Sequence, residues 1–280
     1  MTPTSSQRQE TIGQLYDRTT EMIEKIMGGS LHNGYWDDPM DGASLEAASE
    51  RLTELMIDKL DASKGRRILD IGCGTGRPAI ALARTAGVDV VGVTISEKEV
   101  ELGSRLAKDE GLADRVTFQV ADALELPFEP DSFDGAWLFE SLLHMPDQAR
   151  VLRQAYSVLR PGGVLVIANL VERAPLTDER RGRLEASYHD SHIDSIIPLR
   201  NYPGFIADSG LALREIIDIS EHTMSPTLRR VVERIAGLRE ELPEFDGVIE
   251  PPPFVARLIE TPEVGYAIIV ATKPERPAGS

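Results

Sequence analysis

Residues 67–78 read Arg67-Ile68-Leu69-Asp70-Ile71-Gly72-Cys73-Gly74-Thr75-Gly76-Arg77-Pro78. The run Arg67 to Ile71 is apolar and short, as a buried strand is. Three glycines then alternate with other residues, and Pro78 stands where a helix can begin. Glycine is required where a chain turns sharply or must come close to a ligand. A helix start just beyond presents free N–H groups and a positive dipole end to an anionic group. A G-x-G-x-G turn is weak evidence by itself. Its rival is the dinucleotide fingerprint G-x-G-x-x-G, and here the third glycine falls one position early for that pattern.

Outward from this turn the chain alternates. Pro78 to Thr85 is predicted as helix, Val88 to Thr94 as strand, Glu97 to Gly111 as helix, and Val116 to Val120 and Phe133 to Phe139 as strands. Asp147 to Leu159 is predicted as a helix stopped by Arg160-Pro161-Gly162-Gly163, with Val164 to Leu170 as a fifth strand. Such alternation predicts a parallel sheet wrapped by helices on both faces. Leu213 to Ser220 and Gly265 to Thr272 are two further strand-like runs. Glu172 to Leu199 is polar, and Glu221 to Pro262 holds a helix over Thr227 to Leu242 and a Pro251-Pro252-Pro253 break. Long insertions of this kind read as lids or caps. Upstream, Ile12, Leu15, Tyr16, Met22, Ile23 and Ile26 predict a helix over residues 11–30, ending at Gly28-Gly29. An aromatic loop, Leu31 to Trp36, precedes a second helix over Ser44 to Leu60, with Ser44 as its cap and Ala47, Ala48, Leu52, Leu55 and Met56 inward. The expected division is a helical cap over 1–62, a cofactor-binding core over 63–171, lid insertions with the last strands over 172–274, and a disordered tail over 275–280.

The 280 residues carry 30 basic and 46 acidic side chains, a formal net charge of -16. A protein that grips a phosphate backbone needs a positive footprint, so nucleic acid is not the expected partner, nor is an anionic membrane surface. A single cysteine, Cys73, excludes an intrachain disulfide. The first ten residues hold no apolar targeting segment, and runs such as Val164 to Ala168 are far too short to span a bilayer. A cytoplasmic protein, monomer or homodimer, acting on a small molecule is expected.

Several motifs together carry a resemblance: His32-x-Gly34-Tyr35-Trp36, the glycine turn, Ala121-Asp122-Ala123, Leu126-Pro127-Phe128, Asp131-Ser132-Phe133-Asp134, Glu140-Ser141-Leu142-Leu143-His144-Met145-Pro146 and Pro161-Gly162-Gly163. With them the chain resembles, over almost its whole length, class I methyltransferases that use S-adenosylmethionine (SAM) on small molecules. Natural-product members such as the rebeccamycin sugar O-methyltransferase, and the sarcosine/dimethylglycine and mitomycin N-methyltransferases, are the nearest likenesses. The resemblance implies an α/β fold with a Rossmann-like seven-stranded sheet, an N-terminal helical cap and lid insertions. It implies SAM as methyl donor and S-adenosylhomocysteine as product; no metal is expected.

The family pattern also implies roles. Asp70 would orient the glycine turn and the methionine end of SAM, with Gly72, Gly74 and Gly76 letting the backbone approach. Many members bind the ribose hydroxyls through an acidic residue after the second strand. This chain has Thr94-Ile95-Ser96 there, as in a subgroup that uses hydroxyls and a nearby Gln, matched here by Glu99. Asp122 would accept from the adenine amino group with Ala123 alongside; its alternative is a loop cap. Glu140 and Tyr35 join the cofactor set. His144, just past the fourth strand, suits a general base with its ordinary pKa near 6.5, or else a structural hydrogen bond. The sugar O-methyltransferase pattern has a second histidine and an Asp where this chain has Leu143 and Asn169. That reduced apparatus points toward an amine, whose lone pair needs no base, or toward a hydroxyl activated differently. Tyr16, Trp36, Leu143, Asn169, Tyr188 and Tyr202 are the candidate acceptor contacts, and for Tyr16, Tyr35 and Trp36 the alternative is ordinary cap core. His189-x-x-His192 lacks a partner at metal-site spacing. The implied activity is N- or O-methylation of a secondary metabolite of the antibiotic type. Its rivals are C-methylation of a prenyl diphosphate or quinone, and a protein of this fold that only binds.

Overall fold

The computed structural model describes residues 32–38, 40–241 and 253–276. The helix expected over 11–30, with Tyr16, lies outside the described residues. Among the described residues seven strands form one sheet: β1 (Arg67–Ile71), β2 (Asp89–Thr94), β3 (Val116–Val120), β4 (Phe133–Phe139), β5 (Leu159–Glu172), β6 (Ala212–Asp218) and β7 (Val264–Thr272). Their spatial order is β3-β2-β1-β4-β5-β7-β6. The first five run parallel, with Asp70 opposite Gly92 on one side and Trp137 on the other. The sheet is not wholly parallel, as the alternation predicted: β7 lies antiparallel between β5 and β6, from Val164↔Thr272 to Glu172↔Val264.

The described helices are α1 (Leu45–Leu60), α2 (Arg77–Ala86), α3 (Glu97–Asp109), α4 (Gln148–Val158), α5 (Asp178–Glu185), α6 (Tyr202–Asp208), α7 (Ser220–Glu241) and α8 (Pro253–Glu260). Successive strand residues face opposite sides of a sheet. Val166, Ala168 and Leu170 therefore join Leu52 and Met56 of α1, Ile80 of α2, and Phe254 and Leu258 of α8. Leu165, Ile167 and Val171 pack with Val151, Leu152 and Ala155 of α4 and Ile206 of α6. Three helix starts are capped by a side chain just ahead of them: Ser44 accepts from Ala47 N (3.2 Å), Ser96 from Glu99 N (3.2 Å) and Asp147 from Arg150 N (2.8 Å).

Three expectations change. Helix α1, placed in a separate cap, shares its core with the sheet, because its inward stripe is Leu45, Ala48, Leu52, Met56, Ile57 and Leu60. The Arg160–Gly163 stretch does not merely stop a helix; it is taken into β5, with a register irregularity against Phe133/Gly135. The tail expectation fails at its start, since Arg276 pairs with Asp131 beside Lys273, whose Nζ lies 2.7 Å from the same carboxylate. Among the described residues no helix is long and apolar enough to cross a membrane.

Candidate active site

The carboxyl ends of β1, β2 and β4 meet at the glycine turn, where ligands of open α/β sheets gather. Gly72 N and Cys73 N donate to Val93 O (2.9 and 3.0 Å), which pins the turn to β2. Gly72, Gly74 and Gly76 have φ of +80°, +50° and +81°, a region costly for other residues. The three serve different ends. A Cβ on Gly72 would stand 2.5 Å from Ser141 Cβ, and one on Gly76 would run into the Phe118 ring. In front of Gly74 nothing lies within 4 Å. Two glycines permit packing, and the third opens backbone to a ligand. This cradle fits the adenosyl group implied by the resemblance.

Asp70, 2% exposed, lies under the turn. Burial raises its pKa to about 7, against the opposing influence of the Trp137 indole and the His32 charge. At the end of β2, the Thr94 hydroxyl donates to the Glu99 carboxylate and accepts from Ser96 N (3.2 Å). Burial raises the Glu99 pKa, opposed by that bond. Thr94, Ser96 and Glu99 are thus brought together. Between them stands Ile95, an isoleucine 80% exposed beside the open cradle. Sequence reasoning passed over it, although an apolar residue between two hydroxyls at a strand end was the available signal. Asp122 is exposed, and its Oδ1 accepts from Leu124 N (2.8 Å), so one oxygen caps the turn, as its alternative reading had it. Ala123 and Leu124 lie half-buried next to it.

At the end of β4, Glu140 adopts φ +51°. Its Oε1 accepts from Asn33 N (2.9 Å), Asn33 Nδ2 (3.0 Å) and the Tyr266 hydroxyl (2.7 Å), and its Oε2 lies 3.7 Å from His32 Nδ1. Burial raises its pKa, yet His32, Tyr266 and Asn33 outweigh that and hold it below the usual value. The His32 ring stacks on Phe139 with centroids 4.1 Å apart. Glu140 was expected to face the cofactor, but Oε1 is spent on tying segment 32–36 to β4 and β7. Glu140→Ala should cost about 3 kcal/mol in urea unfolding, because it strands three part-buried donors. That contribution is present above the ordinary Glu pKa and disappears as pH falls through the depressed folded value. An unchanged unfolding midpoint would contradict this.

Tyr35 stacks on His222 (5.3 Å) and stays half-buried at the site's edge. Trp36 is 0% exposed in a cluster with Ala48, Val231 and Ile235, so it anchors α7 and cannot touch an acceptor. Asn169 and Tyr202 are likewise buried together on the α4 and α6 side of β5. Burial pushes the Tyr202 hydroxyl up, opposed by Asn169. These corrections share one cause: polar tips alone did not reveal which sheet face each residue takes. Leu143 is buried, and its carbonyl accepts from Asp194 N (2.8 Å).

His144 lies at the surface, and its Nδ1 is 2.8 Å from His192 O. Loss of hydration to the surrounding protein lowers its pKa, against the His192 bond and the Glu140 charge. Nearby, Tyr188 lines a cavity of about 320 Å³ with Glu172, Arg181, Glu185, Asp194 and Ser195. Arg181 and Arg200 hold the buried Glu172 carboxylate at 2.8 and 3.2 Å. Among the described residues no group of His, Cys, Asp and Glu could hold a metal ion.

A family described as a methyltransferase domain matches residues 62–202. The chain is 39% identical over 263 residues to "Methyltransferase GfsG" of Streptomyces halstedii, covering 94% of each. It is 38% identical over 274 residues to "27-O-demethylrifamycin SV methyltransferase" of Amycolatopsis mediterranei, covering 94% of this chain and 97% of that one. Among solved structures it resembles the [4+2]-cyclase SpnF, with a TM-score of 0.79, 30% identity and 98% of each chain covered.

Proposed function

The chain belongs to the class I methyltransferase family, and from that premise we propose that it moves the methyl group of SAM onto an oxygen of a small natural-product intermediate. Nitrogen is the second choice. The observation that carries the reading is the glycine turn, whose central residue Gly74 leaves an open, left-handed stretch of backbone between Asp70 and the Thr94–Glu99 pair. Bound SAM supplies an electrophilic methyl carbon on a sulfonium.

The residues present then have the following work. Gly72, Gly74 and Gly76 bring backbone against the donor, and Asp70 faces its cationic end. Thr94, Ser96 and Glu99 take the ribose hydroxyls, Asp122 and Ala123 the adenine, with Ile95 and Leu124 as apolar cover for the ring. Tyr35 closes the edge. Segment 32–36, fixed through Glu140, excludes water, which lets alignment of the reactants do most of the catalytic work. His144 takes the proton of the attacking hydroxyl at Nε2. Its lowered pKa keeps it unprotonated near neutrality, which matters for an alcohol and not for an amine. Similarity to a protein named for a 27-O-demethyl substrate points the same way.

His144→Ala should lower kcat/KM on a hydroxyl acceptor by about 10²–10⁴-fold and leave SAM affinity unchanged. The assay supplies SAM with a panel of hydroxylated and aminated natural products, 27-O-demethylrifamycin SV among them, and follows S-adenosylhomocysteine. Equal rates for variant and wild type would remove the base role, and absence of SAM binding would end the methyltransferase reading.

The likeness to a [4+2]-cyclase favours a second reading, ring closure with no methyl transfer. A product of unchanged mass, formed without consumption of SAM, would mark it. A prenyl diphosphate acceptor is disfavoured by the cavity, whose lining has Glu172, Glu185 and Asp194 against Arg181. A protein that only binds would take SAM without turnover on any acceptor.

A further inference from the structure

We propose that Gln148 and the backbone carbonyl of His192 are positioning groups that hold the His144 imidazole in the tautomer with its lone pair on Nε2. The inference rests on reading His144 as the base. A carbonyl oxygen only accepts, so the 2.8 Å contact from His144 Nδ1 to His192 O places the ring proton on Nδ1. A neutral imidazole has one N–H, and Nε2 is then the free acceptor. Free histidine favours the opposite arrangement, so the protein must impose this one.

The carbonyl is held by a short zipper. Asp194 N and Ser195 N donate to Leu143 O (2.8 and 3.4 Å), which lays segment 192–196 along the turn Leu142–His144. Ile193 and Ile196 enter the same core as Leu143. Gln148, 7% exposed at the first position of α4, donates its amide to Ser195 O (3.0 Å) and to Ser195 Oγ (3.2 Å). His192 itself has φ +52° and ψ +30°, a left-handed conformation that is costly for a non-glycine residue and is kept because its surroundings impose it. Asp194, Ser195 and Ile196 also line the cavity beside Glu172. One stretch of chain therefore forms both a wall of that cavity and the tautomer clamp on His144, so a molecule seated there presses on the element that orients the base.

The test needs no acceptor. The full chain, labelled with ¹⁵N at histidine, is examined by long-range ¹H–¹⁵N correlation near neutral pH, with His144→Gln to assign the resonance. Wild type should show His144 protonated on Nδ1. Gln148→Leu should shift the majority of the population to Nε2–H, while Ser195→Ala, which keeps the backbone carbonyl bond, should leave it in place. If Gln148→Leu does not fold, His192→Val, which penalises the left-handed conformation, should produce the same shift. A folded Gln148→Leu still protonated on Nδ1 overturns the proposal while leaving the base reading standing, whereas a wild-type ring protonated on Nε2 overturns both, because Nε2 could then accept no proton. An undiminished His144→Ala enzyme overturns the base reading and this proposal with it.

Discussion

Gly74→Val is expected to weaken SAM binding at least about a hundredfold while the protein stays folded. Gly74 has φ +50° and nothing within 4 Å of where a Cβ would point. Valine there pays about 1–2 kcal/mol for left-handed backbone, which a domain with about 5–15 kcal/mol in hand survives. Its two methyl groups then occupy the space in front of the turn, where the donor's backbone contacts would form. Gly72 supplies the contrast. A Cβ there meets Ser141 Cβ at 2.5 Å, and the Ser141 hydroxyl bonds to Ile71 O at 2.6 Å. Gly72→Ala must therefore push β1 and the β4 exit apart, and its loss should register in thermal unfolding. Calorimetric titration with SAM and a melting curve on each variant separate the two effects. A Gly74→Val protein that binds SAM like wild type would mean that the donor sits elsewhere.

The turn was legible because it joins two local signals, an apolar run that ends and glycines at fixed spacing, and both act within a dozen residues. The last strand was legible as a strand but not in its direction. Val264–Thr272 is buried on both faces for nearly its whole length, so its side chains carry no alternation, and nothing local says which way it enters the sheet. Helix α5 was missed for a related reason. Residues 178–185 are polar nearly all round and bury only Leu184, so the periodic signal that marks an amphipathic helix is absent. At the site, Thr94, Ser96 and Glu99 were read as a group and lie as one, since a strand end and the first helical turn after it are neighbours along the chain. Trp36 and Tyr202 were misplaced because an aromatic residue beside a turn can face either way, and only distant partners such as Val231 and Ile206 decide. Glu140 depends on Asn33 and Tyr266, 107 and 126 positions away, a convergence no local pattern announces.

Asp70→Asn should make the protein more stable above about pH 7 and bind SAM more weakly. The Asp70 carboxyl lies on β1 opposite Trp137, and burial raises its pKa to about 7 from 3.8. For a group whose folded pKa exceeds its unfolded value, the stability it contributes is complete below the unfolded pKa. It is lost as pH rises toward the folded one, here between about pH 4 and pH 7. A shift of about three units corresponds to roughly 4 kcal/mol at most, and the asparagine amide returns part of that as an imperfectly bonded buried group. A net gain of about 1–2 kcal/mol near pH 8 is expected, turning into a net loss of about 2 kcal/mol near pH 4, where the wild-type carboxyl is largely protonated and only the amide's cost remains. Such a costly carboxylate is intelligible if it meets the positive end of the donor. A cation beside it favours the ionised form, so binding below pH 7 must expel a proton. SAM affinity of the wild type should then rise by up to about tenfold per unit from pH 5.5 to 7 and level off above. Asp70→Asn should bind weakly, with no such rise, and this variant also controls for titration of the ligand's own amine. Titrations in two buffers of different ionisation enthalpy count the released proton directly. A wild-type affinity that does not change across that range would show that the carboxylate does not answer to the donor's charge, and Asp70 would then be a buried support for the turn and nothing more.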